Sequence, residues 1–98
     1  MTLTSKQRAA LRGSAAKLDT TLQIGKDGVT DAVIKQISDI VTAHELMKLK
    51  VLETAMLTAR EACDAVCEAL DAAPVQVIGS RFVIYKENSD KRQYAAVL

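Results

Sequence analysis

"TTLQIGKDGVTDAVIKQISDIVTAHELMKLKVL", residues 20–52, changes periodicity twice, and those changes decide the fold. Thr20 to Ile24 is a short β-prone stretch ending at Gly25. Val29, Val33, Ile37, Ile40 and Val41 then recur at helical spacing to about Thr42. From His44 to Leu52 the period drops to two: Met47, Leu49 and Val51 alternate with Lys48 and Lys50, the pattern of a strand covered on one face and open on the other. The segment is therefore strand, glycine loop, helix, strand, with two lysines projecting from the open strand face.

The flanks extend the alternation. Thr4 followed by Gln7 matches a capping box and predicts a first helix from about Ser5 to Lys17, whose charged residues Lys6, Arg8, Arg12 and Lys17 are all basic. A third helix is predicted from Thr54 or Thr58 to Ala72, with Ala59, Ala62, Cys63, Val66, Cys67 and Leu70 on one side. Glu61, Asp64, Glu68 and Asp71 form an acidic stripe on the other, and Pro74 stops the helix. Residues 75–79 and 81–86 are expected as two strands around a tight Gly79-Ser80 turn whose first residue needs positive φ. The order α-β-α-β-α-β-β predicts an α/β or α+β domain with one mixed four-stranded sheet packed with three helices. Residues 87–98 begin polar and add a strand or pack back through Tyr94 to Leu98.

Composition narrows the function. Ninety-eight residues make one domain, 1–98, with its core at about 3–87 and a less defined tail at 88–98. The apolar runs are far shorter than the ~20 residues a bilayer requires, and the first residues have no secretory apolar region, so a cytoplasmic location is expected. Net charge is +1 but unevenly placed: residues 1–50 carry +3, 51–74 carry −4 and 75–98 carry +2. Basic flanks thus enclose an acidic middle segment.

Cys63 and Cys67, four apart on a helix, are expected as small core residues, since His44 is the only histidine and no second cysteine pair completes a metal site. No cofactor or metal is expected. His44 stands beside Glu45 at a strand entrance where the two side chains diverge, and no Ser or Cys has a base partner, so no enzyme is expected either.

Two binding candidates remain. "GKDG", Gly25, Lys26, Asp27 and Gly28, precedes a helix start and is either a turn needing a left-handed glycine or a loop open to phosphate. It has neither the order of a Walker loop nor the third glycine of a dinucleotide site. The second candidate is a basic surface made by Lys48, Lys50, Arg81, Lys86, Arg8 and Arg12. Phe82, Tyr85 and Tyr94 are too few for an aromatic stacking platform, so nucleic-acid contact there would rest on phosphate and shape.

"SKQRAALRGSAAKL", "QIGKDGVTDAVI", "HELMKLKVL" and "VQVIGSRFVIYK", in this order and spacing, resemble the bacterial YhbY proteins, single copies of the CRM (chloroplast RNA splicing and ribosome maturation) domain. The resemblance covers residues 3 to about 87. It implies a non-catalytic RNA-binding domain similar to the C-terminal domain of translation initiation factor three, with bacterial members associated with precursors of the large ribosomal subunit. Plant relatives act in group II intron splicing. The implied partner is ribosomal RNA, with ribosomal proteins as further partners and no membrane or small-molecule substrate. The implied site is the G-x-x-G loop Gly25 to Gly28 with Lys48, Lys50, Arg81 and Lys86. Asp27 departs from the family pattern by placing a carboxylate in the loop, and the acidic third helix suggests an alternative: a module that binds a ribosomal protein or assembly factor on that side.

Overall fold

The structure, a computed structural model, describes residues 3–88. The tail expected beyond Asn88 lies outside the described residues. The elements in chain order are α1 (Ser5–Ala15), β1 (Leu22–Ile24), α2 (Asp31–His44), β2 (Leu46–Val51), a single 3-10 turn (Glu53–Ala55), α3 (Ala59–Leu70), β3 (Ala73–Ile78) and β4 (Arg81–Tyr85). The sheet order is β1-β2-β4-β3, with β1 and β2 parallel across the α2 crossover and the other pairs antiparallel. This is the mixed four-stranded α+β architecture the periodicities predict.

Local chemistry sets the boundaries. The Thr4 hydroxyl accepts from the Gln7 amide at 3.1 Å while the Gln7 side chain accepts from the Thr4 amide at 3.0 Å, the expected capping box. Thr58 and Glu61 repeat it at the start of α3, at 3.0 and 2.9 Å. These hydrogen bonds to Thr58 hold the Glu61 carboxyl below its ordinary range. The stability it lends α3 is present at neutral pH and is lost as pH falls through that lowered value. Glu61 is thus committed to the helix start rather than free for a partner.

Several boundaries differ from the sequence reading by one to three residues, three of them with a clear physical cause. The first helix ends at Ala15, two residues before Lys17. α2 runs on to His44, so His44 is the last residue of a helix and not a strand entrance; Glu45, at φ 63°, makes the break. Glu45 is fully buried there, its carboxylate accepting from the Asn88 amide at 3.0 Å and its carbonyl from the Lys86 amide at 2.8 Å. α3 is ended not by Pro74 but by Asp71 in the left-handed region, and Pro74 is the second residue of β3. Proline is tolerated because β3 is an edge strand with a register shift between Pro74 and Gln76. Gly79, at φ 57°, forms the predicted two-residue hairpin turn with Ser80.

Both faces of the sheet are used. α2 and α3 cover one, where Ile37, Val41, Ala62, Cys63, Val66 and Cys67 pack on Met47, Leu49, Phe82 and Ile84. Cys63 and Cys67 are free thiols in this core, as expected; the hydrogen bond between them and then burial push the Cys67 thiol up. α1 lies on the other face, where Leu3, Leu11 and Ala15 meet Leu46, Ala73, Val75, Val83 and Tyr85. The strand face expected to be open is therefore partly roofed.

Candidate nucleic-acid interface

Strand register turns the α1 side of the sheet into a graded surface. Leu46, Tyr85 and Ala73 lie opposite one another in one row, all buried under α1. One step along, Lys48 and Gln76 flank Val83. The next row is Gln23, Lys50, Arg81 and Ile78, in which Lys50 is half-buried and the others are exposed. Because side chains alternate along a strand, the apolar row seats the helix and the following rows leave its edge as a polar, basic shelf.

Two placements on this side run against local stability. Lys50 and Arg81 are directly opposed across β2 and β4, where like charges are unfavourable. Arg8 and Arg12 stand one turn apart on α1, another like-charge pair. Among the described residues, no carboxylate comes within ion-pair distance of Lys48, Lys50, Arg81, Arg8 or Arg12. A surface that concentrates uncompensated cations at a cost to itself is suited to a polyanion.

The glycine loop lies at the same end of the sheet. Ile24 is opposite Val51, the Leu52 amide donates to the Ile24 carbonyl, and the Val51 amide donates to the Ser80 carbonyl, so the ends of β1 and β2 and the hairpin turn are adjacent. Gly25 to Gly28 form a β-turn closed by the Gly28 amide on the Gly25 carbonyl at 2.9 Å. Gly28, at φ 68°, supplies the left-handed residue that the turn reading requires. Gly25 has no such need, and a Cβ there would meet only Leu52 at an ordinary 3.9 Å. Lys26 and Asp27 are exposed at the tip, and their amides have no partner among the described residues.

α2 does not begin directly at the loop. Val29 and Thr30 intervene, and the Thr30 hydroxyl already accepts from the Val33 amide at 3.2 Å. Fewer helix-terminal donors are open than a direct loop-to-helix junction would offer.

Of the basic residues singled out in the sequence, the structure brings Lys48, Lys50, Arg81, Arg8 and Arg12 to one side of the sheet and Lys26 to its adjoining end. Lys86 is not with them. It follows β4 at the opposite end, where its ammonium donates to the Leu70 carbonyl at the end of α3. Its job there is to cap α3, a favourable place for a cation. The parity of the strand already separates it from Arg81, since residues an odd number apart face opposite sides. The sequence reading also passed over Arg60, which shares a groove with Arg8 and Arg12.

A family model, the CRS1 / YhbY (CRM) domain, matches residues 3–86. The chain is 37% identical over 91 residues to "Probable RNA-binding protein YqeI" of Bacillus subtilis, covering 93% of this chain and 95% of that protein. It is 32% identical over 91 residues to an "RNA-binding protein" of Haemophilus influenzae, covering 93% and 92%. The solution structure of protein SAV1595 from Staphylococcus aureus superposes with a TM-score of 0.78 at 37% identity, over 94% of this chain and 96% of that one. With the match spanning every described helix and strand, this protein belongs to the CRS1 / YhbY (CRM) domain family.

Proposed function

We propose that the protein is a non-catalytic RNA-binding protein that docks on structured ribosomal RNA during large-subunit assembly. The single observation that carries RNA contact is the row Gln23, Lys50, Arg81 and Ile78, with Lys48 beside it, ending at the Gly25 to Gly28 turn. Membership of a family whose relatives bear the name RNA-binding protein supports it. The ribosomal assignment rests on the resemblance to YhbY proteins and is tested by crosslinking to RNA in cells; a profile dominated by messenger or transfer RNA would overturn it.

In this reading the exposed amides of Lys26 and Asp27 and the Lys26 ammonium hold one phosphate, while Lys48, Lys50, Arg81 and the first turns of α1 hold neighbouring ones. About five neutralised phosphates give a log-log salt slope near −3.5 to −4.5. Titration of RNA binding across salt concentrations checks this, and a flat dependence rules out phosphate capture.

Asp27 works against the loop, because its carboxylate stands one residue from the ammonium at the tip. Asp27→Asn is expected to tighten RNA binding roughly two- to fivefold, the size of one exposed charge interaction. Unchanged affinity would show that the turn serves only to join β1 to α2.

The acidic stripe supports a second contact. Asp64 and Glu68 are exposed on α3, which lies on the sheet face opposite α1, so the molecule is basic on one side and acidic on the other. A ribosomal protein or assembly factor with a basic surface would fit that side. Charge reversal at Asp64 and Glu68 that abolishes ribosomal association with RNA affinity intact would establish it.

A further inference from the structure

Two hollows on the α1 side meet at the edge of the sheet. The larger, about 670 Å³, lies between Arg8 and Arg12 of α1, Arg60 of α3 and the outermost strand from Pro74 to Ile78. The smaller, about 140 Å³, is lined by Lys48, Arg81 and their neighbours. Gln76 and Ile78 line both, so the basic shelf continues over the edge strand to Arg60.

Arg60 is the only basic residue between Val51 and Pro74. It occupies the first turn of α3, where the helix dipole disfavours a cation, and no carboxylate pairs with it among the described residues. Asp64, four residues on, offers only a weak exposed attraction, so helix stability gives little reason for a cation here and a ligand in the groove gives a direct one. Ile78 is the second unusual residue: 63% exposed, it is an apolar side chain set among cations. Phosphates gain nothing from it. The flat face of an unstacked base does, and guanidinium planes stack on bases as well.

We infer that this groove receives an unpaired RNA strand, which leaves the shelf beside Arg81, passes its bases over Ile78 and brings its backbone to Arg8, Arg12 and Arg60. The inference rests on the RNA-binding reading above and adds that the RNA is single-stranded at this point. A duplex keeps its base faces stacked inside, all but those of its terminal pairs, and has none along its length to offer Ile78. An acidic peptide added as a fifth strand is the competing occupant, but Pro74 lacks the amide for a ladder and the register shift beside it distorts the edge.

The test compares the parent protein with Arg60→Glu and Ile78→Ser, on a single strand of about 12 nucleotides and on the corresponding blunt duplex. Both positions are exposed, and an acid in the first turn suits α3, so both variants fold. Arg60→Glu is expected to weaken single-strand binding roughly tenfold and duplex binding less than twofold, the size of one lost charge-assisted contact. Arg60→Gln makes the single-strand salt slope shallower by about 0.7, whereas Ile78→Ser lowers affinity at constant slope because its contact is uncharged. Equal losses on both RNAs, or none, overturn the inference. So does capture of an acidic extended peptide that Arg60→Glu abolishes while single-strand binding stays intact. RNA binding absent from the parent protein would overturn the broader reading, and this one with it.

Discussion

Replacing Lys48, Lys50 and Arg81 together with glutamine is expected to cut RNA affinity by about two orders of magnitude, at roughly 1 kcal/mol per exposed charge contact. The salt slope becomes shallower by about 2 to 2.7, for three fewer neutralised phosphates. Stability moves the other way. Lys50 and Arg81 face each other across β2 and β4, so neutralising them removes a like-charge opposition and raises stability by about 0.2 to 1 kcal/mol. A variant that is more stable and binds less cannot owe its lost affinity to unfolding. Filter binding across salt concentrations and urea denaturation of the same samples measure both signs. Full affinity in the triple variant would remove the shelf from the RNA interface.

Leu11→Ala is expected to have the largest effect on structure. Leu11 is fully buried and is the one long apolar side chain that α1 inserts among Leu46, Val83 and Tyr85; the helix otherwise presents alanines. Truncating such a residue costs about 2 to 5 kcal/mol. The loss falls on a small cluster separate from the α2 and α3 core, so α1 undocks before the rest of the domain opens. Arg8 and Arg12 leave the groove with it. Hydrogen exchange should show α1 amides losing protection while those of α3 and β4 keep theirs, and RNA affinity should fall even though no basic residue was changed. Uniform loss of protection would show instead that the two clusters open as one unit.

The physical basis of the sequence reading explains where it succeeded. Elements whose periodicity and caps lie within a few residues were legible: the Thr4 and Gln7 box, the helical spacing of α2, the alternation of Met47, Leu49 and Val51 with Lys48 and Lys50, and the Gly79-Ser80 turn. So was the positive shelf in part, because alternation along one strand places Lys48 and Lys50 on one side whatever the partner strands are. Pro74 misled because a proline forbids helix and central strand alike, and only the strand order shows that β3 is an edge.

What the sequence by itself determined is the set of elements, their order and the side of each strand or helix that is apolar, since these follow from local sterics and from burial that repeats with a fixed period. Tertiary structure alone decided which charges meet. Register set Lys50 against Arg81, the roofing of the Leu46, Tyr85 and Ala73 row by Leu11 of α1 left the next row open, and the edge position of β3 brought Arg60 into one groove with Arg8 and Arg12. Lys86, equally basic in the sequence, was turned to the far end to cap α3. The same registers leave the glycine turn beside the shelf, because β1 and β2 run parallel and end together at Ile24 and Val51. Charge in a sequence has no address until strands pair, because pairing joins residues dozens of positions apart and no local periodicity records it.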